Sequence, residues 1–441
     1  MRAALLGLFL TAGCWAPANV RAEPYQRAFY RGHPDRAVDM LQHRLDTEGS
    51  SPDRDVLRLE LASALVAAGR DADAAALLVD ADDELETLDY TRAPLDTLAE
   101  WVFALEPKPY RATRFERLLV NAQALLGFLV AGDVQEAAVE ARRARVLLLQ
   151  SGLPDDERYA SVLIWALAGV ALQHAGAQGE AADAFRSARE LARDDPARLS
   201  ALDALQSLPA AGEGSLLVVV QNGRIPVRAQ AIVRLWVDHA LRRVQFPALV
   251  ARPGGYARIE VEVDDALAGV PVPLLDAGSQ ALRRYDDELP RLLAAALVAA
   301  VPRAFAQDAV SRAIRHDDDH HHDTTRDVLA DLAGFLTGEL LAEALPADTR
   351  CWTLLPAEFR VLRVPLAPGA HRVAVTLQDS ALGAPPRRVE WQVDLSEGQL
   401  AVIDCVTAVE EGWAAVPVPG EQDLTHTLAG QQALDLLRAN D

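Results

Sequence analysis

Four glycines, each followed at fixed distances by small or apolar residues, constrain the N-terminal half of this chain more than any other feature. Glycine readily takes the left-handed conformation that ends a helix. A small residue five positions later lets the next helix cross close to the first, and the residue nine positions later fills the next layer of the same face. The pattern predicts consecutive helical hairpins over residues 23–210. The glycines are Gly32, Gly69, Gly132 and Gly176, followed at five positions by Ala37, Ala74, Ala137 and Ala181, and at nine by Leu41, Leu78, Ala141 and Phe185.

The hairpins do not repeat at a constant interval. The four glycines are separated by 37, 63 and 44 residues, whereas tetratricopeptide repeats recur about every 34 residues. The best-formed copy is residues 115–149, where apolar residues recur at helical spacing on both sides of Gly132. Asp133 and Glu136 form a capping box at the start of its second helix. The prediction is an irregular, tetratricopeptide-like α-solenoid.

The apolar pattern changes after residue 210. Short runs with a period of two, separated by turn signals, predict antiparallel strands in a sandwich-like arrangement. Two helices are predicted between them, so residues 211–441 form a β-rich domain with a helical insertion at about 283–345. The chain of 441 residues is long enough for two domains, each with its own core, and the predicted fold class is α+β. The predicted strands cover 216–220, 227–237, 257–263, 359–366, 371–377, 387–395 and 400–406, and the helices 283–314 and 327–345.

Residues 1–22 are predicted to be a targeting segment. Arg2 is followed by about ten mostly apolar residues, a length that suits a signal peptide and is too short to span a bilayer. The segment ending in Cys14 resembles a bacterial lipobox, so cleavage before Cys14 and its lipidation are expected. Trp15 then favours the outer membrane, by resemblance to lipoprotein sorting rules. The alternative is cleavage after Ala22, which would give a soluble periplasmic or secreted protein.

Charge and motifs exclude several functions. The formal net charge of −21 disfavours binding to nucleic acids, because it repels phosphate backbones. The sequence contains no HExxH, phosphate-binding loop, dinucleotide fingerprint or nucleophile elbow. We therefore expect a protein that is not an enzyme and needs no cofactor.

Two candidate sites rest on cysteine and histidine. Cys351 and Cys405 are the only cysteines besides Cys14, so in an oxidising compartment they either form a disulfide or remain two buried thiols. The run 316–323 contains the weak metal-ligand candidates His316, His320, His321 and His322. The alternative for this run is a solvated loop, because contiguous polar residues do not by themselves supply fixed ligand geometry.

Charged residues on the second helix of the best-formed hairpin are a third candidate. Glu140, Arg142 and Arg143 form either a partner-binding rim or a solvated face that bridges hairpins.

Three short blocks carry a family resemblance. They are residues 115–143, residues 221–227 and residues 347–356, the last of which includes Asp348, Arg350 and Trp352. Together they resemble a family of predicted bacterial lipoproteins of uncharacterised function, with a tetratricopeptide-like N-terminal half and a strand-bearing C-terminal half. The resemblance implies an envelope protein and no catalytic residues. Asp348, Arg350 and Trp352 then either contact a ligand or are structural, with Trp352 filling the core and Asp348 pairing locally with Arg350.

These observations predict a membrane-anchored periplasmic interaction or scaffold lipoprotein that recognises an envelope protein through its helical hairpins. The first alternative is an envelope protein that binds a small molecule or a metal, and the second is an enzyme of unrecognised type.

Overall fold

The computed structural model describes residues 18–48, 51–90, 109–150, 155–237, 240–252, 254–293, 347–379, 385–407 and 422–424. Its N-terminal half is helical and its C-terminal half bears the strands, so the α+β prediction is confirmed. The helices are α1 (Ala18–Tyr30), α2 (Pro34–Thr47), α3 (Arg54–Ala67), α4 (Asp71–Tyr90), α5 (Arg114–Val130), α6 (Val134–Gln150), α7 (Asp155–His174), α8 (Gln178–Leu191) and α9 (Pro196–Gln206).

The four glycine turns form as predicted. Each glycine has a positive φ, between 73° and 82°. Its N–H donates to the carbonyl three residues earlier, and the next N–H donates to the carbonyl five residues earlier, which is the Schellman pattern of a helix end. The residues five and nine positions after each glycine are all buried. The local pattern therefore determines where four helix pairs turn.

The described residues of the strand-bearing half form three sheets. Their strand orders are β10-β1-β7-β6, β11-β2-β3 and β5-β4-β8-β9. The strands are β1 (Gly214–Asn222), β2 (Val227–Val237), β3 (Ala240–Val250), β4 (Arg258–Val263), β5 (Ala266–Gly269), β6 (Val272–Asp276), β7 (Glu358–Leu366), β8 (Gly369–Gln378), β9 (Arg387–Leu395), β10 (Leu400–Val406) and β11 (Gln422–Asp423). Residues 277–293 are helical, so this helix begins before the predicted residue 283, and the predicted helix 327–345 lies outside the described residues.

Among the described strands, two pairs depart from the antiparallel prediction. β1 pairs with β10, and β2 with β11, in parallel. β1 is buried along its whole length, which suits a strand covered on both faces. Its apolar run 216–220 predicted a strand, but gave no information about the direction of its neighbours.

The helices and the sheets share a core. Leu217 and Val219 of β1 belong to one apolar cluster with the helices, whereas Leu216, Val218 and Val220 on the opposite face belong to a second cluster with β4 and β8. The core of the helical half therefore includes one face of the first sheet. Residue 210 marks a change of secondary structure within this shared core.

No described helix has the length and apolar character needed to cross a membrane.

Candidate functional site

An irregular segment, residues 348–355, crosses the helical half and is held there by buried side chains; we call it the strap. Glu60 on α3 is fully buried and accepts hydrogen bonds from it at both carboxylate oxygens. Its Oε1 accepts from the N–H and the hydroxyl of Thr353 at 2.7 and 2.6 Å, and its Oε2 accepts from the Leu354 N–H at 2.9 Å. One side chain thus satisfies backbone groups of a segment that lies in no helix or strand.

A second carboxylate holds the preceding residue of the strap. Glu116, near the start of α5, accepts from the Trp352 N–H at 3.2 Å and from the Tyr110 hydroxyl at 2.7 Å, both at Oε1. Its Oε2 accepts from the Thr113 N–H at 2.7 Å, which completes a capping box. The same residue therefore caps α5 and fixes the strap. The Trp352 indole N–H donates to Ser63 Oγ of α3 at 2.8 Å.

Aromatic and basic side chains close the other side of the strap. The Thr353 carbonyl accepts from the Tyr30 hydroxyl at 2.9 Å and from Arg252 Nη2 at 2.5 Å. The Arg224 guanidinium lies 4.2 Å from the centre of the Tyr30 ring, a favourable cation–π distance. Gln26 of α1 donates to the Thr353 hydroxyl at 2.7 Å.

Asp348 and Arg350 form a local ion pair at the start of the strap. Arg350 donates from Nε to Asp348 Oδ1 at 2.9 Å and from Nη2 to Oδ2 at 2.7 Å, and its Nη1 donates to the Pro52 carbonyl at 3.1 Å. Burial raises the pKa of Asp348, but the hydrogen bonds and charge of Arg350 outweigh burial and hold that pKa below its usual range. All three predicted residues thus help to attach the strap to the helical half. Arg350 bonds to the Pro52 carbonyl, Trp352 bonds to Ser63, and Asp348 holds the Arg350 side chain in place.

Burial dominates the electrostatics of this centre. It raises the pKa of Glu60 to about 7, against the lowering effect of the Thr353 and Leu354 hydrogen bonds and of the Arg252 charge. Burial also raises the pKa values of Tyr25, Tyr30 and Tyr110. The centre has perturbed acids of the kind found in active sites. However, the strap fills this centre, and the buried carboxylates of Glu60 and Glu116 form their hydrogen bonds with the strap.

Glu140, Arg142 and Arg143 lie on α6 and connect neighbouring hairpins. Arg142 forms two hydrogen bonds with Glu180 of α8, at 3.0 and 3.2 Å, and Arg143 pairs with Asp83 of α4 at 3.3 Å. Glu140 is buried, 3.6 Å from Arg143, and burial raises its pKa to about 7. The hairpin-bridging alternative therefore describes the contacts of these residues in the structure.

The outer face of α6 exposes apolar side chains. Val139, Val146 and Leu149 are 42%, 51% and 72% exposed. Val146 and Leu149 follow Val139 by seven and ten residues, a spacing that puts the three side chains on one stripe of the helix. Arg142 lies between them in sequence and is also exposed.

Cys351 and Cys405 are free in the structure, so the disulfide alternative is not formed. The Cys351 Sγ accepts from the Arg228 N–H at 3.4 Å beside the strap. Cys405 is buried in the cluster between the two four-stranded sheets. The two thiols belong to different packing environments, and burial raises both pKa values to about 12. Cys351 itself lies in the irregular strap.

Several predicted sites lie outside the described residues. These are the lipidation residue Cys14 and the histidines His316, His320, His321 and His322. Among the residues that are described, no group of three or more histidine, cysteine, aspartate and glutamate side chains is arranged to hold a metal ion.

Sequence analysis missed Glu60, the most buried acid of the centre, because its neighbours in the helical pattern gave no sign of a distant partner. Glu116 lay within a recognised block, and Thr113 three residues before it was an available capping-box signal.

Comparison with protein-family models, with curated proteins and with solved structures gave no match.

Proposed function

We propose that this protein is a non-catalytic interaction protein of the bacterial cell envelope, anchored in the outer membrane by a lipid on Cys14 and facing the periplasm. In this proposal the helical half is an irregular tetratricopeptide-like solenoid, and the strand-bearing half is sandwich-like. The polar centre that would otherwise suggest catalysis supports the non-catalytic part, because Glu60 and Glu116 are engaged by Thr353 and Trp352 of the strap.

The observation that carries the proposal is the apolar stripe Val139, Val146 and Leu149 on α6. Side chains of this kind, clustered on one exposed face, are typical of protein–protein contact sites. Arg142 and Arg143 lie on the same helix as this stripe, and each forms an ion pair with an exposed acid of a neighbouring helix. Such surface pairs contribute only about 0–1 kcal/mol, so the arginines can exchange their acids for those of a partner. We therefore propose that the binding partner is an envelope protein whose contact surface is an apolar strip bordered by acidic residues.

The test is chemical crosslinking and recovery of the protein from envelope fractions with a Val146→Asp/Leu149→Asp variant. Burial of an aliphatic side chain contributes about 1.5–3 kcal/mol, so loss of two should reduce recovery of a specific partner by about tenfold or more. The matched control is Leu208→Asp, since Leu208 is 58% exposed and lies outside α6. Equal recovery with both variants would reject the α6 surface.

Anchoring is tested separately. A Cys14→Ala variant should move from the membrane fraction to the soluble fraction and should lose incorporation of labelled fatty acid. Unchanged fractionation would reject lipid anchoring without affecting the α6 test.

A further inference from the structure

β9 is the outer strand of the sheet β5-β4-β8-β9. It pairs with β8 over nine residues without a register shift, and no described strand pairs with its other side. The unpaired side of a long, regular strand is a surface to which another strand can add.

The backbone groups on that side can be assigned from the neighbouring ladder. The Asp264 N–H donates to the Arg372 carbonyl, and the Ala257 N–H to the Gln378 carbonyl, so the even-numbered residues of β8 bond towards β4. The odd-numbered residues of β8 then bond to β9, and their partners in β9 are also odd-numbered. The even-numbered residues of β9 therefore direct their N–H and C=O groups outward.

The sequence of β9 is complementary to itself when a second copy is placed antiparallel about Trp391. Residues at equal distances from Trp391 then face each other, so Arg388 lies opposite Asp394, and Glu390 lies opposite Gln392. On the other face Val389 lies opposite Val393, and both side chains pack partly against the core between the sheets. Opposite charges and β-branched pairs across strands are stabilising.

Neighbouring registers are less favourable. A two-fold axis at Glu390 sets Glu390 opposite its own copy, and an axis at Gln392 sets Glu390 opposite Asp394. Like charges directly opposite one another destabilise a strand pair. Of these three axes, the charge order along β9 favours the one at Trp391.

Both charged residues are available for such pairing. Asp394 is exposed and has no ion pair among the described residues. Arg388 pairs with Glu390 at 2.8 Å, with Asp265 at 3.5 Å and with the half-buried Glu262 of its own sheet. Glu390 and Asp265 are exposed, and ion pairs with exposed acids exchange at little cost.

We propose that β9 pairs with β9 of a second copy of this chain, antiparallel about a two-fold axis at Trp391, and joins two four-stranded sheets into one of eight strands. The contact is isologous, because the same residues contribute from both copies. Its small area is expected to give a weak dimer, which anchoring on a common membrane would favour by raising the local concentration.

The first test uses disulfide formation between copies that carry Glu390→Cys and Gln392→Cys separately. These side chains are exposed, and in the proposed register residue 390 of one copy faces residue 392 of the other. Oxidising an equimolar mixture should give several-fold more crosslinked dimer than oxidising either variant alone, because diagonal positions are too far apart for a disulfide. The wild-type chain controls for the native cysteines. No excess in the mixture would overturn the register.

The second test measures self-association of the full chain by sedimentation at up to about 100 µM. Asp394→Arg puts arginine opposite Arg388 at two symmetric positions and should weaken the dimer by about tenfold. Asp183→Arg makes the same charge change at an exposed position of α8 and should leave association unchanged. Circular dichroism verifies that both variants fold. A wild-type chain that remains monomeric throughout, or equal effects of the two variants, would overturn the proposal.

Discussion

At the scale of single residues, Glu60 is the buried acid that forms the most hydrogen bonds to the strap. It is fully buried, and its carboxylate accepts two backbone N–H groups and one hydroxyl from the strap. No cation pairs with it directly among the described residues. These hydrogen bonds therefore offset part of the hydration that the carboxylate loses on burial.

Glu60→Ala is expected to destabilise the protein by about 2–5 kcal/mol, because each buried donor left without an acceptor costs about 1–3 kcal/mol. Urea unfolding monitored by circular dichroism measures the effect. Glu180→Ala removes an exposed carboxylate from α8 and should change stability by no more than about 1 kcal/mol. A midpoint for Glu60→Ala equal to that control would refute the fastening role.

The two described cysteines give a second residue-scale prediction. Cys351 and Cys405 are free and lie in separate environments, so they are expected to remain thiols in an oxidising compartment. A thiol reagent added to the unfolded, unreduced Cys14→Ala chain should label both. Absence of labelling, with labelling restored by a reductant, would indicate the disulfide instead.

At the scale of elements, close helix contacts depend on glycines inside the helices as well as at the turns. A Cβ added to Gly169 of α7 would lie 2.8 Å from the Phe185 ring of α8. Phe185 occupies the ninth position after Gly176 and is buried. The α7–α8 hairpin thus packs an aromatic ring directly against the backbone of the first helix.

Gly169→Ala should therefore destabilise the protein by about 1–3 kcal/mol through overpacking, although alanine favours helices. Gly179 of α8 provides the matched control, since a Cβ there would contact nothing within 4 Å, and Gly179→Ala should stabilise by about 0.5–1 kcal/mol. Thermal unfolding compares the two. If both substitutions stabilise, the α7–α8 contact is looser than the structure indicates.

At the scale of the whole molecule, polar links reinforce the apolar contact between helices and sheets. Gln123 of α5 and Gln221 of β1 exchange hydrogen bonds at 2.8 and 3.1 Å, and Gln221 donates to Asp404 of β10 at 2.7 Å. Burial and the nearby charge of Asp71 raise the pKa of Asp404 well above its usual value.

A third link, besides the strap and this chain of glutamines, is Arg363 of β7. It donates to Gln173 at 3.1 Å and to the Leu205 carbonyl at 2.5 Å, and its Nη2 lies 3.4 Å from His174 Nε2. Burial lowers its pKa to about 10. The arginine therefore connects β7 to the C-terminal ends of α7 and α9 through neutral acceptors.

The buried acids predict that stability rises as the pH falls from about 7.5 to about 5.5. Burial raises the pKa values of Glu60 and Glu140 to about 7 in the folded state. A carboxyl with a raised folded pKa contributes stability that is fully present below its unfolded pKa and is lost as the pH rises through the folded value. His174 opposes this trend, since burial lowers its pKa and its protonation on acidification favours unfolding. The expected net gain is about 1–3 kcal/mol.

Thermal unfolding across this pH range measures the trend. A Glu60→Gln/Glu140→Gln variant should show a smaller change with pH than the wild type, because both groups then cannot titrate. A wild-type stability that falls steadily on acidification would contradict the assignment of these two acids.

The sequence by itself determined the local part of this structure. Gly32, Gly69, Gly132 and Gly176 end helices because the left-handed conformation is a property of a few consecutive residues. The alternation of apolar and polar residues determined most strand boundaries and the two faces of β9. Helix caps, turns and strand faces depend on neighbours only a few positions away, and the sequence displays those directly.

Only the tertiary structure determined how these elements combine. Glu60 and Thr353 are 293 positions apart, β10 pairs in parallel with β1, and Cys351 lies away from Cys405. The strands β3, β5 and β6 were also missed, because their pairing with β2, β4 and β7 leaves no local signal in the sequence. Contacts between distant residues depend on the packing of the whole core, and one sequence carries no local signal for them.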